Sequence, residues 1–226
     1  MLHADEILRT SVVRASYDSA AEAYAEHLFD ELQHKPLDRT ILNRFAEAVK
    51  GKGEVLDLGC GPGHVAKYLS QLSVPVRGID LSPAMVRCAV RLCPGIQFHV
   101  GDMRALDVPD AALGGAVAFY SIVHFETGEL ASVFRELRRV LVPQGMLLLA
   151  FHVGEETVHV HDMWGRPVSL EFRFHPRQAV LRALSAMGFR LTECVERDPY
   201  PDVEYPSRRC YITATAVSPT RNEATT

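Results

Sequence analysis

The sequence predicts one doubly wound α/β domain, and three features lead to that class. β-favouring runs alternate with helix-forming segments over most of the chain. Those runs are apolar on both faces, as the strands of a parallel sheet covered on each side must be. One of them ends in closely spaced glycines and opens directly into a helix, the arrangement that seats a ligand at the carboxyl ends of such sheets. With 226 residues and 47% hydrophobic content, the chain has the size of a single large core.

Two helices are expected before the first strand, from Asp18 to Leu32 and from Leu37 to Val49, because both stretches are rich in helix formers. The sheet strands expected are Glu54–Leu58, Val74–Asp80, Ile96–Val100, Gly115–Tyr120, Met146–Phe151, Arg190–Glu196 and Cys210–Ala216. Between the second and third lies the helix PAMVRCAVRL, with Ser82 as its N-cap and Pro83 at its first position. The segment ELASVFRELRRVL is the helix before the fifth strand, which follows a Pro143–Gly145 turn. After Phe151 the alternation changes. Thr157–Val160 and Val168–Phe174 read as a hairpin about a turn at Trp164–Pro167, lying over the sheet end, before a helix at Pro176–Met187. The resulting division is a helical cap (1–36), a core (37–217) and a polar, disordered tail (218–226).

A formal charge of −4, from 24 basic and 28 acidic residues spread along the chain, gives no footprint for nucleic acid. Five cysteines without a C-x-x-C pair fit a reducing cytoplasm. The first residues mix charges into every turn, unlike a signal peptide, and no stretch approaches the roughly 18 apolar residues of a membrane span. No membrane partner is therefore expected, and the chain is taken as a monomer or homodimer.

The most informative segment is Asp57-Leu58-Gly59-Cys60-Gly61-Pro62-Gly63-His64. Glycines allow a sharp turn and close approach of a ligand, and the following helix offers free N–H groups. The spacing is G-x-G-x-G. A dinucleotide loop, G-x-G-x-x-G, would need glycine where His64 stands, which argues against NAD. Acidic residues recur at the next two strand ends, Asp80 and the Gly101-Asp102-Met103 turn, and an acid about twenty residues past such a loop suits ribose hydroxyls.

Asp57 to Gly63 resembles motif I of the class I S-adenosylmethionine-dependent methyltransferases, close to the form D-x-G-C-G-x-G, and the resemblance extends from about Tyr17 to Ala216. It implies a Rossmann-like, seven-stranded, mostly parallel sheet with helices on both faces, a helical cap and a hairpin insertion after strand five. It also implies S-adenosyl-L-methionine as cofactor. On that likeness Asp57, Gly59, Cys60, Gly61 and Gly63 hold its methionine part, Asp80 its ribose, and Asp102 and Met103 its adenine, with Leu81 and Met85 bordering ribose or adenine. Tyr120 and Ser121, after the fourth strand, face the donor. Tyr17 and Tyr24, seven residues apart on one helix face, resemble a cap that closes over the cofactor.

Methyl transfer from a sulfonium is an in-line displacement governed by positioning, with a base needed where the acceptor must lose a proton. His124, just past the fourth strand, is the candidate base; His152 and Trp164 are candidate acceptor-lining residues. The H-x-H of His159 and His161 places two imidazoles on one strand face, yet nothing supplies the further ligands of a metal site, so no metal is expected. The Glu204–Arg209 segment reads as an exposed, ion-paired loop. The expected acceptor is a small molecule with an O, N or S nucleophile. A tRNA or protein methyltransferase, a non-catalytic cofactor-binding subunit and a cyclase on the same fold are the alternatives; the first is disfavoured by Phe119-Tyr120-Ser121-Ile122 standing in place of an N-P-P-Y-like tetrapeptide.

Overall fold

A computed structural model describes residues 4–217, so the expectation of a disordered tail at 218–226 lies outside the described residues. The chain starts with α1 (Ala4–Leu28), a 3-10 turn (Glu31–His34) and α2 (Pro36–Val49). There follow β1 (Val55–Leu58), α3 (His64–Gln71), β2 (Val76–Asp80), α4 (Pro83–Leu92), β3 (Gln97–Val100) and β4 (Leu113–Phe119). After 3-10 turns at Ile122–His124 and Thr127–Glu129 come α5 (Leu130–Val140), β5 (Leu141–Val153), β6 (Thr157–Met163), β7 (Arg166–Arg173), α6 (Arg177–Ala186), β8 (Phe189–Arg197) and β9 (Arg208–Ala216).

The main sheet has seven strands in the order β3-β2-β1-β4-β5-β9-β8. The first five are parallel, and β9 runs antiparallel to both β5 and β8. Strand order reverses between β1 and β4, which opens a crevice at the carboxyl ends of these strands. Side chains alternate between two cores. Leu56, Leu58, Ala116, Ala118, Leu147 and Leu149 pack with α5 and α6, while Val55, Val117, Phe119, Leu148 and Ala150 pack with α2 and α3. Both faces are thus covered, as the uniformly apolar strands require.

α1 begins fourteen residues before the expected Asp18, because it carries no single apolar stripe for periodicity to reveal. It is clasped from two sides. Ala20 meets Met163, Val168 and Leu170 of the β6–β7 hairpin, and Ala21 and Ala25 meet Ala84, Met85 and Cys88 of α4. Alanines let both neighbours approach closely, so its buried surface is split rather than gathered. The hairpin forms as expected, with its turn at Trp164–Gly165, and it lies against α1 as well as the sheet end. No described helix is long and apolar enough to cross a membrane.

Ser82 caps α4 as the sequence predicts, its hydroxyl accepting from Met85 N at 3.1 Å, with Pro83 at the first turn. Gly114 shows how tightly β4 fits the preceding loop: a Cβ there would lie 2.5 Å from the Lys52 carbonyl carbon. Gly114→Ala should therefore cost about 1–3 kcal/mol of stability, as overpacking against backbone does. Gly128→Ala, where a Cβ meets nothing within 4 Å, should unfold with wild type in a urea titration.

Candidate active site

The turn after β1 is held by carboxylates from two adjacent strands. Gly59 adopts φ 64°, and a Cβ on it would lie 2.6 Å from Ser121 Cβ, so both its conformation and its surroundings demand glycine. Asp80, at the end of β2, accepts from Gly61 N on Oδ2 and from Ser82 N on Oδ1, both at 2.8 Å. Asp57 accepts from Ala66 N at 3.0 Å, tying β1 to the first turn of α3. Burial pushes the Asp57 carboxyl up to about 7, with His64 opposing and Asp80 reinforcing the shift. Burial likewise pushes Asp80 up to about 6, against its two main-chain hydrogen bonds.

These groups line an open cavity at the carboxyl ends of the strands, beneath α1. The structure brings almost all of the predicted residues to it: Tyr17, Tyr24, Gly59, Cys60, Gly61, Asp80, Leu81, Met85, Asp102, Met103, Tyr120, Ser121 and His124 all contribute to the wall. Asp57 and Gly63 stand behind it, Gly63 as the N-cap residue of α3. Burial raises the Cys60 thiol well above its ordinary value, which leaves it un-ionised.

At the β3 end the Asp102 carboxylate is already engaged. Arg104 grips it with Nε at 2.9 Å from Oδ1 and Nη2 at 2.5 Å from Oδ2, and also reaches Glu6 Oε1 at 2.6 Å and Thr10 Oγ1 at 2.8 Å. One guanidinium thereby links the β3 turn to α1. Asp18 makes a second link, accepting from Ser82 Oγ at 2.6 Å and Ala84 N at 3.0 Å. Nothing in the sequence marked Arg104 for this role.

α1 lays its two tyrosines across the cavity. The Tyr17 hydroxyl lies 2.8 Å from His124 Nε2, and its ring meets Tyr24 edge-on at 5.9 Å. Burial drives His124 down to about 4, partly countered by the Glu171 main chain, so the ring is neutral at pH 7. Its Nδ1 is buried without a hydrogen-bond partner of normal geometry. His124 closes the 3-10 turn at Ile122–His124, which is held in turn by buried His175. There Nε2 donates to the Ile122 carbonyl at 3.1 Å, which leaves Nδ1 to accept from the Thr127 hydroxyl at 3.2 Å. His175 was invisible to sequence reasoning because its partners lie about fifty residues away.

His152 and Trp164 sit outside this wall. His152 stacks on Phe174 at 4.9 Å, bonds Ser207 Oγ at 2.6 Å through Nδ1, and is driven down to about 3 by burial, then by Arg209 and Lys35. It approaches the cavity only through Tyr120, at 5.2 Å. Trp164, at the hairpin turn, stacks on His27 at 4.6 Å and touches Tyr24 edge-on at 5.8 Å. Among the described residues, no three His, Cys, Asp or Glu side chains converge as metal ligands would.

The expectation of an exposed, ion-paired loop at Glu204–Arg209 holds for Tyr205, Pro206 and Arg208, which are exposed, and is corrected at its two ends, Glu204 and Arg209. The Glu204 side chain is 1% exposed and pairs with Arg197 at 2.6 Å, Arg209 at 3.2 Å and Lys35 at 3.3 Å. Local composition suggested solvent, but this segment is strapped to α2, where Asp38 accepts from Arg197 and from Tyr211, both at 2.8 Å. Tyr120, at φ 56°, joins the same network through Tyr211, hydroxyl to hydroxyl at 2.8 Å.

Comparison with known proteins follows the same lines. Residues 55–145 match a family described as a methyltransferase domain. A malonyl-acyl-carrier-protein O-methyltransferase of Halorhodospira halophila is 32% identical over 152 residues, covering 65% of this chain and 50% of that protein. The chain thus spans about half the length of this curated relative. Among solved structures, the magnesium protoporphyrin IX methyltransferase ChlM of Synechocystis PCC 6803, with S-adenosylmethionine bound, superposes with a TM-score of 0.69 at 17% identity, covering 93% of this chain and 97% of that one. The (4+2)-cyclase SpnF shares the fold at a TM-score of 0.62 and 21% identity, covering 80% of this chain and 81% of its own.

The raised carboxyls make a stability prediction. Asp57 binds its proton more tightly in the folded protein than in the unfolded chain, so the folded state holds more protons between about pH 4 and 7 and loses stability as pH rises through that window. Asp57→Asn removes this loss. Its urea-unfolding free energy relative to wild type should shift in the variant's favour by about 2 kcal/mol between pH 5 and 7.5; a pH-independent difference would contradict the assignment.

Proposed function

The chain belongs to the class I S-adenosylmethionine-dependent methyltransferases, and from that premise we propose that it transfers a methyl group to a small-molecule acceptor bound beneath α1. The observation that carries this reading is the single cavity that joins the glycine turn and Asp80 to Tyr17, Tyr120 and His124. The residues present suit the cofactor. Gly59 leaves the backbone open, Ser121 Oγ is buried at its side with no partner, and the carboxylates of Asp57 and Asp80 favour a cation. When bound, S-adenosylmethionine supplies a methyl group already activated by the positive sulfonium.

The protein's part is to bind, align and exclude water. Gly59, Cys60, Gly61, Gly63 and Asp57 would hold the amino-acid end, Asp80 the ribose hydroxyls, and Asp102 with Met103 the adenine, Leu81 and Met85 packing against the rings. Tyr120 and Ser121 border the reacting methyl. Tyr17 and Tyr24 shut the site from above, and Tyr17 donates to His124 Nε2, which fixes the remaining proton on Nδ1. With its pKa held near 4 and its Nε2 lone pair taken by Tyr17, His124 is neither a strong base nor a free acceptor for the nucleophile; it holds the Tyr17 hydroxyl over the cavity, and deprotonation without a protein base favours acceptors that ionise readily. His152 and Trp164 would shape the outer acceptor wall through Tyr120 and Tyr24. The five cysteines are all free, in keeping with a reducing cytoplasm.

Incubation with S-adenosylmethionine and a panel of phenols, carboxylic acids, amines and thiols, followed by quantifying S-adenosylhomocysteine, tests the reading. Turnover with one class supports it; none with any class, despite cofactor binding, favours a non-catalytic subunit. Asp80→Ala should weaken S-adenosylhomocysteine binding at least tenfold, since charge-assisted hydrogen bonds contribute about 1.5–3 kcal/mol each. For His124→Ala, cofactor affinity should persist while turnover falls; an unaltered rate removes His124 from the reaction.

A further inference from the structure

Away from the cavity, two thiols lie side by side. Cys194 is on β8 and Cys210 on β9, both are free, and their sulfurs are 3.7 Å apart. In this antiparallel pair Cys194 stands opposite Ile212 and Cys210 opposite Glu196, so the two are diagonal neighbours on one face of the sheet. That face packs under α6, whose first residue, Arg177, bonds Glu196 at 2.9 Å. Cys210 is buried and Cys194 half-buried. The other three cysteines are engaged elsewhere: Cys60 Sγ with the Gly61 carbonyl at 3.7 Å, Cys88 Sγ with Glu22 Oε1 at 3.5 Å and Cys93 Sγ with the Gly63 carbonyl at 3.5 Å.

One short movement separates this contact from a bond. A disulfide is about 2 Å long and joins Cα atoms about 4.4–6.8 Å apart, whereas diagonal neighbours in a sheet lie about 7–8 Å apart, so one strand must shift to close it. β8 is free to do so. It is the edge strand, paired on one side only, and the irregularity between Leu191 and Glu193, next to Cys194, gives it slack. A cross-link gained by shifting a strand is strained, and strained disulfides are the ones readily reduced. Burial raises the Cys210 thiol, with Cys194 and Glu196 reinforcing the shift and Arg177 opposing it. The more accessible Cys194 therefore meets an oxidant first, and Cys210 is placed to resolve it.

We propose that Cys194 and Cys210 are a site of reversible oxidation by peroxide, and that their disulfide staples the edge strand β8 to β9. The Cys194 thiolate attacks one peroxide oxygen; an S–O bond forms as the O–O bond breaks, and the departing hydroxide takes up the thiol proton as water. Cys210 then attacks the sulfenic sulfur. The S–S bond forms as the S–O bond breaks, and the hydroxyl leaves with the Cys210 proton as a second water. Two thiols are thus oxidised and one peroxide reduced, and a dithiol reverses the change by exchange. None of this depends on what the cavity binds.

Mass spectrometry of the reduced, purified protein tests it. After exposure to excess hydrogen peroxide and alkylation of the remaining thiols in denaturant, the chain should carry three alkyl groups instead of five. Trypsin should then release Leu191–Arg197 joined to Cys210–Arg221, a product that dithiothreitol splits. Cys194→Ser should lose the cross-link and be alkylated at all four thiols that remain. Amide exchange along β8 should slow in the oxidised protein and recover on reduction. Five alkyl groups after peroxide would overturn the proposal, as would a sulfinic acid at Cys194 beside an alkylated Cys210, or a cross-link through Cys60, Cys88 or Cys93. A Cys194–Cys210 bond that leaves β8 exchange unchanged would overturn the stapling.

Discussion

The Asp80 carboxylate, buried where β2 ends, is the fixed point of this molecule. Its two oxygens take the main-chain N–H groups of Gly61 and Ser82, so one side chain joins the glycine turn after β1 to the start of α4. Parallel pairing sets Asp57 opposite Gly78 and Leu58 opposite Ile79, so Asp80 lies level with the first glycine of the turn, two residues beyond Asp57. Close approach there is allowed by small residues: a Cβ on Gly78 would lie 2.6 Å from the Phe98 ring. Ionising two such buried carboxyls is costly in the free protein, and a cationic ligand offsets that cost. Folding and ligand binding thus pull on the same groups in opposite directions, a usual property of functional sites.

The cap depends on that fixed point in turn. α1 contributes mostly alanine to its buried surface and is placed by polar contacts: Asp18 on the start of α4, Arg104 on Glu6 and Thr10, Arg9 on Glu126 and Glu129. Such contacts specify position more than they add stability. They set Tyr17 against His124, and the same turn is braced from below by His175. The roof of the cavity and His124 are therefore oriented together, and a displaced α1 would leave His124 without the hydroxyl that selects its tautomer.

The sheet, its helices, the Ser82–Pro83 cap and the carboxylates at the strand ends were legible because each has a local signature: two-residue alternation, a capping residue, glycines at fixed spacing. What escaped was non-local. α1 was read too short because its apolar contacts divide between α4 and the hairpin. Arg104, His175 and the Glu31–His64 pair look like ordinary polar residues until the fold carries their partners to them. Glu204 and Arg209, the buried ends of an otherwise exposed loop, escaped for the same reason, since the Glu204 carboxylate is satisfied by Lys35, Arg197 and Arg209 rather than by water. His152 and Trp164 had the right neighbourhood, but their rings pack on Phe174 and His27, one layer from the cavity.

The central claim is that this cavity holds an adenosyl amino acid. Isothermal titration of the purified protein with S-adenosylhomocysteine, run beside NAD, tests it most directly. Saturable one-site binding of S-adenosylhomocysteine with no heat from NAD is the result predicted here; no binding of S-adenosylhomocysteine, or preference for NAD, would reduce the glycine turn to scaffold and contradict the account.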